Sequence, residues 1–199
     1  MVQIFRRIIV ILIFPRLAWQ IIREEKTSTL DLFLGYAAII VAIPAISKII
    51  GRGIVGVDVN GLPYRMVLSD AIFGGVIQYL LYYIGLILVT IVIHTLARYF
   101  IDFDDNFNIT AKLVVYSGTA LYVAGIFLMV PSISIMYLFS VYSLYILYRG
   151  ITVMYDLPPD RGLIFMMMSM IALILAAFFC MVLSDHFFYM PHISGPVIF

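Results

Sequence analysis

Five nearly uncharged stretches of roughly twenty residues set the limits on what this chain can fold into. They run from about Leu30 to Ile50, Asp70 to Ala97, Lys112 to Val130, Ser132 to Met154 and Gly162 to Ser184. About 20 apolar residues is the length an α-helix needs to cross the hydrocarbon core of a bilayer. The chain is 64% hydrophobic and 12% charged, against roughly half and a quarter in soluble domains. A soluble fold of 199 residues has too little interior to hide that much apolar surface, whereas lipid accepts it. The expected fold is an all-α integral membrane protein built as a five-transmembrane-helix bundle over residues 30–184. An N-terminal interfacial amphipathic segment (1–26) precedes the bundle, and a short outer C-terminal tail (185–199) succeeds it.

Local signals support these spans. Asp31, Asp70 and Asp160 stand near helix starts, where a carboxylate meets exposed N–H groups and the positive end of the helix dipole. Only Pro131-Ser132 separates the third and fourth spans, which predicts a tight antiparallel hairpin. The longest irregular piece is the first loop, Gly51 to Ser69. There the run Ile54 to Val59 and then Asn60-Gly61 predict a short strand entering a type I′ turn, with Pro63 weakening the return strand.

Ahead of the first span, Arg6-Arg7 and the apolar run Ile8 to Phe14 resemble a signal peptide. The next residues, Pro15-Arg16-Leu17-Ala18-Trp19, lack a small-residue cleavage pattern. The segment therefore reads as a retained in-plane helix, with Arg16, Trp19 and Arg23 as its interfacial anchors. Orientation comes from the Lys/Arg bias. A cytoplasmic N-terminus collects Arg6, Arg7, Arg16, Arg23, Lys26, Arg98, Lys112, Arg149 and Arg161 inside, and leaves Lys48, Arg52 and Arg65 outside. That predicts N-terminus in and C-terminus periplasmic or extracellular, which five spans satisfy. The net charge of +1 offers no basic excess to steer nucleic acid. One cysteine, Cys180, excludes an intrachain disulfide.

Most motif-like strings have a plainer reading. Gly51-Arg52-Gly53-Ile54-Val55-Gly56 spells a dinucleotide fingerprint, but that site needs a strand before it and a helix after it; here it reads as a flexible loop. Asp102 to Asn106 imitates the start of a calcium loop, yet Phe107 replaces the required Gly and Leu113 the closing Glu. Asn108-Ile109-Thr110 spells a glycosylation sequon only, since this topology leaves it cytoplasmic; Asn108 or Thr110 reads as a helix cap. His94 is the one ionisable side chain well inside a span, where hydrocarbon penalises it. Tyr83, Thr90 and His94 share a helix face and could line a polar cavity, although an interfacial hydrogen bond explains His94 as well. Ala120 and Ala124 on the third span, and Ala172 and Ala176 on the fifth, have the small-xxx-small spacing of close helix packing. Tyr137, Tyr142, Tyr145 and Tyr148 read as interface anchors or packing residues. No HExxH, GxSxG, Walker A or Cys/His cluster occurs. No cofactor or metal is expected.

Several strings together resemble the Yip1 family of membrane proteins, in its bacterial form. Pro15, Trp19, Ile22 and Glu25 match an entry pattern P-x-x-x-W-x-x-I-x-x-E, leading to Ala42-Ile43-Pro44 and Ile49-Ile50-Gly51. Lys112, Tyr116, Ser117 and Thr119 match K-x-x-x-Y-S-x-T, with Ala120 where the family commonly has Pro. Pro131 comes next at the hairpin, then Tyr142 to Gly150, matching Y-x-L-Y-x-L-Y-x-G. The eukaryotic D-L-Y-G-P motif and long hydrophilic N-terminal stretch are absent from the residues before the first span, so a Rab-binding role is not carried over. The resemblance implies a five-span protein of the bacterial inner membrane. The expected function is non-enzymatic organisation of lipid or partner proteins, with membrane lipids, further copies of the chain or other membrane proteins as partners. The rival is a small permease or channel with a polar path near Tyr83, Thr90 and His94.

Overall fold

The computed structural model describes residues 2–59, 62–101, 106–155 and 159–188, with side chains at 2, 57–59, 62–64, 159–162 and 188 left aside. Two short helices come first, α1 (Val2–Ile13) and α2 (Pro15–Glu24). Next come five helices long and apolar enough to cross a membrane: α3 (Thr29–Val55), α4 (Leu68–Ile101), α5 (Phe107–Met129), α6 (Pro131–Met154) and α7, whose apolar part is Leu163–Phe187 within Pro159–Phe188. Consecutive spans alternate in direction. One end of the bundle carries α1 and α2; the other carries a small hairpin of β1 (Val57–Val59) and β2 (Leu62–Tyr64).

Each span begins or breaks for a local reason. Ser28 caps α3: its Oγ accepts from the Asp31 N–H at 3.1 Å and donates to the Asp31 carboxylate at 2.7 Å, a cap that satisfies one orphan N–H of the first turn. The cap of α5 is Asn106, whose side chain accepts from the Asn108 N–H. Neither Asn108 nor Thr110 serves that role, because the helix already starts at Phe107. Asn108 instead donates to the Thr27 carbonyl and the Thr29 hydroxyl. The α5–α6 hairpin turns at Val130, and helix on both sides of it is wound tightly as 3₁₀ over Gly125–Met129 and Pro131–Val141.

The first loop is shorter than expected. Gly51–Val55 continues α3 as a π-helical turn, and the chain leaves the helix only at Gly56, at φ 89°, a conformation open to glycine. The glycine-rich string is therefore helix packing rather than loop. A Cβ on Gly51 would meet the Leu128 and Met129 carbonyls, and one on Gly125 would sit 2.8 Å from the Pro44 Cα. The strand starts at Val57 and pairs Val57 with Tyr64 and Val59 with Leu62. The Asn60-Gly61 turn, Asp102 to Asp105 of the calcium-like string, and residues 189–199 of the tail lie outside the described residues. The tail opens as the last turn of α7.

Burial divides the spans unevenly. Span α5 is 67% buried inside the protein and α6 only 17%. Lipid cannot replace the packing that α5 receives, since helix association in a bilayer rests on close contact and hydrogen bonds. The core gathers on α5, with Leu113, Val114, Val115 and Tyr116 inside it, against Ile40 of α3, Ile93 of α4 and Ile146 of α6.

Candidate functional site

The N-terminal helices build the most elaborate polar site. Proline at the first position of α2 costs no hydrogen bond there and presets the backbone. Pro15, Ala18, Trp19 and Ile22 then recur at helical spacing and point into the bundle. Trp19, expected at the headgroups, is 1% exposed and donates its indole N–H to the Ile146 carbonyl at 3.0 Å. Its ring lies where a Cβ on Gly150 would intrude to 2.5 Å, and it meets Tyr116 edge-on. Trp19 is thus a packing residue, because the bundle offers its N–H a carbonyl and its ring a glycine notch. Arg16 and Arg23 do remain exposed, and Arg23 donates to the Val153 carbonyl at 3.0 Å.

Around Trp19 the charges interlock. Both Nη atoms of Arg7 hold the Glu25 carboxylate, at 2.5 and 2.9 Å, a bidentate pair of the stronger kind. Arg7 also donates to the Tyr116 hydroxyl at 3.1 Å and lies 5.3 Å from that ring's centroid, within cation–π range. Lys112 donates to the Glu25 and Ile22 carbonyls. Tyr116 packs on Tyr36, whose hydroxyl bonds Thr119 at 2.8 Å. Burial alone pushes the Glu25 carboxyl up, but hydrogen bonds from Arg7 and Thr27 and the charges of Arg7 and Lys112 hold it below the usual range. Burial lowers the Arg7 value; the bonds and charges of Glu25 and Tyr116 more than offset it.

Three strings far apart in the chain thus meet in one place: Trp19 and Glu25 of the first, Lys112, Tyr116 and Thr119 of the second, Gly150 of the third. Arg7 joins them from α1. Its carboxylate partner lies 18 residues away, across the break between α1 and α2 and far beyond the three or four residues over which side chains pair on one helix, so the sequence carried no signal for that pair. Between α1 and α2 runs a groove of about 500 Å³ with Gln3, Arg6 and Arg7 along it and Val10, Ile11 and Ile22 among its apolar lining.

The other expected residues scatter. Tyr83 donates to the Phe33 carbonyl at 3.0 Å, and Thr90 donates back to Leu86 in its own helix. His94 makes a long 3.4 Å contact with Thr110, which bonds the Tyr155 hydroxyl at 2.7 Å. Burial raises that tyrosine to about 12, the Thr110 bond only partly opposing it. Ala120 and Ala124 are buried in α5, while Ala172 and Ala176 are half-buried on α7. Ala176 borders a small interior cavity of about 20 Å³ with Gly85, Gly118, Tyr122 and Cys180. Tyr83, Thr90 and His94 do not bond one another. None of them borders that cavity, the groove between α1 and α2, or the cavity at the opposite end of the bundle. Among the described residues no three His, Cys, Asp or Glu side chains converge as metal ligands.

This architecture is that of a multi-pass α-helical membrane protein. The model of the Yip1 domain matches residues 9–181, and the chain belongs to that family. No curated protein and no solved structure matches it.

Proposed function

We propose that the protein organises lipid or partner proteins in the bacterial inner membrane without catalysing a reaction, with its N-terminus cytoplasmic and its C-terminus outside. The observation that carries this reading is an apolar stripe on helices too short to span. Phe5, Ile9, Ile13, Leu17 and Ile21 are all exposed and recur every four residues along α1 and α2. At 12 residues and 1.5 Å per residue, α1 reaches about 18 Å, well short of a bilayer core of about 30 Å. Such a stripe beside Arg6 and Arg16 suits a helix pair lying in the interface, with arginines at phosphate level and apolar side chains below. The bonds of Trp19 to Ile146, Arg7 to Tyr116 and Lys112 to Glu25 hold that pair to the bundle, so its position at the surface is coupled to the spans.

Deleting residues 1–25 would remove Trp19 and Ile22 from the core, so substitution is the cleaner test. The full-length double variant Arg6→Glu with Arg16→Glu should fold normally and co-purify several-fold less anionic lipid. An unchanged lipid profile refutes the lipid role of the helix pair. Direction is tested separately in Cys180→Ser protein: Lys26→Cys should be labelled from the cytoplasmic side and Ser69→Cys from outside. The opposite pattern reverses the proposed orientation.

A further inference from the structure

The groove between α1 and α2 is polar at one end and apolar at the other. The backbone leaves the helical region at Phe14, at φ −126° and ψ 61°, and the chain folds back there. Without that bend, the 18 residues from Arg7 to Glu25 would span about 27 Å of helix; instead the start of α1 lies beside the end of α2. Gln3, Arg6 and Arg7 therefore line the far end of the groove, and Val10, Ile11 and Ala18 the end at the bend. From Gln3 to Ile11 the groove runs about 12 Å along α1. Its volume of about 500 Å³ is that of a small-molecule cleft, and so is its make-up, mostly apolar walls with a few converging polar groups.

The two arginines are not equivalent. Arg7 is engaged by Glu25 and Tyr116. Arg6 is exposed, lines the groove, and makes no hydrogen bond or ion pair among the described residues. Its guanidinium is free to meet an acceptor from outside the protein, with the Gln3 amide one turn away.

Ile21 decides what kind of molecule can enter. It lines the groove and also belongs to the exposed apolar stripe of Phe5, Ile9, Ile13 and Leu17. The groove thus opens onto the face that meets the membrane in the interfacial position proposed for α1 and α2, and the site rests on that position. Water finds few partners along apolar walls, and a void leaves them without contacts. An acyl chain fills such a space, and the bilayer supplies it. The chain alone gives little preference, because surrounding lipid is as apolar as the groove. A phosphate at the polar end adds a charge-assisted bond to arginine, which is stronger than a neutral one.

We propose that the groove holds one acyl chain of a phospholipid, with the phosphate at its polar end on Arg6 and Gln3. The chain runs from there past Ile21 and Val10 toward the bend. A lipid seated this way lies between two helices that are fastened to the spans through Trp19 and Arg7, so the bundle presents it in a fixed place.

The protein carries its own reporter of that place. Trp19 is the single tryptophan; it follows Ala18 of the groove wall and, at 1% exposure, is shielded from bulk lipid. Bromine on an acyl chain quenches indole fluorescence only at short range. The full-length protein is reconstituted in vesicles of digalactosyldiacylglycerol, a host without phosphate, with a minor fraction of either phosphatidylglycerol or the host lipid brominated at mid-chain. Brominated phosphatidylglycerol should quench Trp19 several-fold more than the brominated host lipid. Val10→Phe, which fills the groove, and Arg6→Gln, at an exposed position that leaves the fold intact, should each reduce that quenching several-fold. Arg16→Gln, outside the groove, should leave it unchanged.

Equal quenching by the two brominated lipids overturns the site, as does an unchanged signal in Val10→Phe or in Arg6→Gln. Equal losses in Arg6→Gln and Arg16→Gln overturn it too, because they reduce the effect to attraction of phosphate by the whole surface. Each of these results leaves the interfacial role standing if the double charge-reversed protein still loses anionic lipid. No lipid loss in that protein removes the interfacial role itself, and the groove with it.

Discussion

The two ends of the bundle use similar residues to opposite effect. Each end has a cation–carboxylate pair with a second cation and tyrosines around it: Arg7, Glu25, Lys112 and Tyr116 at one, Lys48, Asp185, Arg52 and Tyr137 at the other. At the first end, Trp19 fills the space beside the charges and main-chain carbonyls take up the second cation. At the second end no such filler intrudes among the described residues, and the same kinds of groups border a cavity of about 210 Å³. A polar cluster in a membrane bundle can be closed over by a packed side chain or left bordering open space.

Removing the filler should have the largest effect. Trp19→Ala is expected to cost about 3–5 kcal/mol, read as a lower Tm in detergent together with proteolytic release of α1 and α2. A Tm within a degree or two of the parent would mean that the first end is not fastened by packing. Breaking the pair comes next. Glu25→Ala leaves Arg7 half-satisfied and should cost about 1–3 kcal/mol; Asp185→Asn keeps an oxygen acceptor for the buried Lys48 and should cost less, about 1 kcal/mol. Equal losses in these two variants would erase the contrast between the ends.

Acid should distinguish them as well. The folded Glu25 carboxyl lies below its ordinary value of 4.5, so the stabilisation it provides is present in full above that value. It is lost as pH falls through the lower folded value, by at most about 1 kcal/mol after solvent screening. Unfolding tracked downward from pH 6 should show this loss in the parent and not in Glu25→Gln. The smallest effect belongs to His94→Phe, expected within about 0.5 kcal/mol, since its one polar contact among the described residues is the long bond to Thr110. A loss of several kcal/mol there would return the histidine to a central role.

The span count and the hairpin between α5 and α6 were legible in the sequence, because length and hydropathy answer directly to bilayer thickness. So was the β-hairpin, whose strands start later than the apolar run suggested, since the π-helical turn of Gly51–Val55 absorbs its first residues. The strings containing Trp19, Lys112, Tyr116 and Gly150 were visible as strings; their meeting was not. Small-residue spacing pointed to alanines, while close approaches fell at glycines, Gly51, Gly75, Gly125 and Gly150 among them, where a missing Cβ admits a neighbouring backbone, side chain or ring. Hydropathy also could not separate α5 from α6, which are similarly apolar, though one is mostly buried and the other faces outward.

What the sequence alone determined is therefore the solvent of each segment. A run of twenty apolar side chains must leave water whatever its neighbours are, and helix is the hydrogen-bonded form it can take in lipid. What only the tertiary structure decided is the partner of each polar group inside. Lipid supplies no polar partner and no driving force to sort one apolar face from another, so contacts such as Arg7 with Glu25, Trp19 with Ile146, or Ser134 facing the cavity rather than the acyl chains depend on how the helices pack and wind.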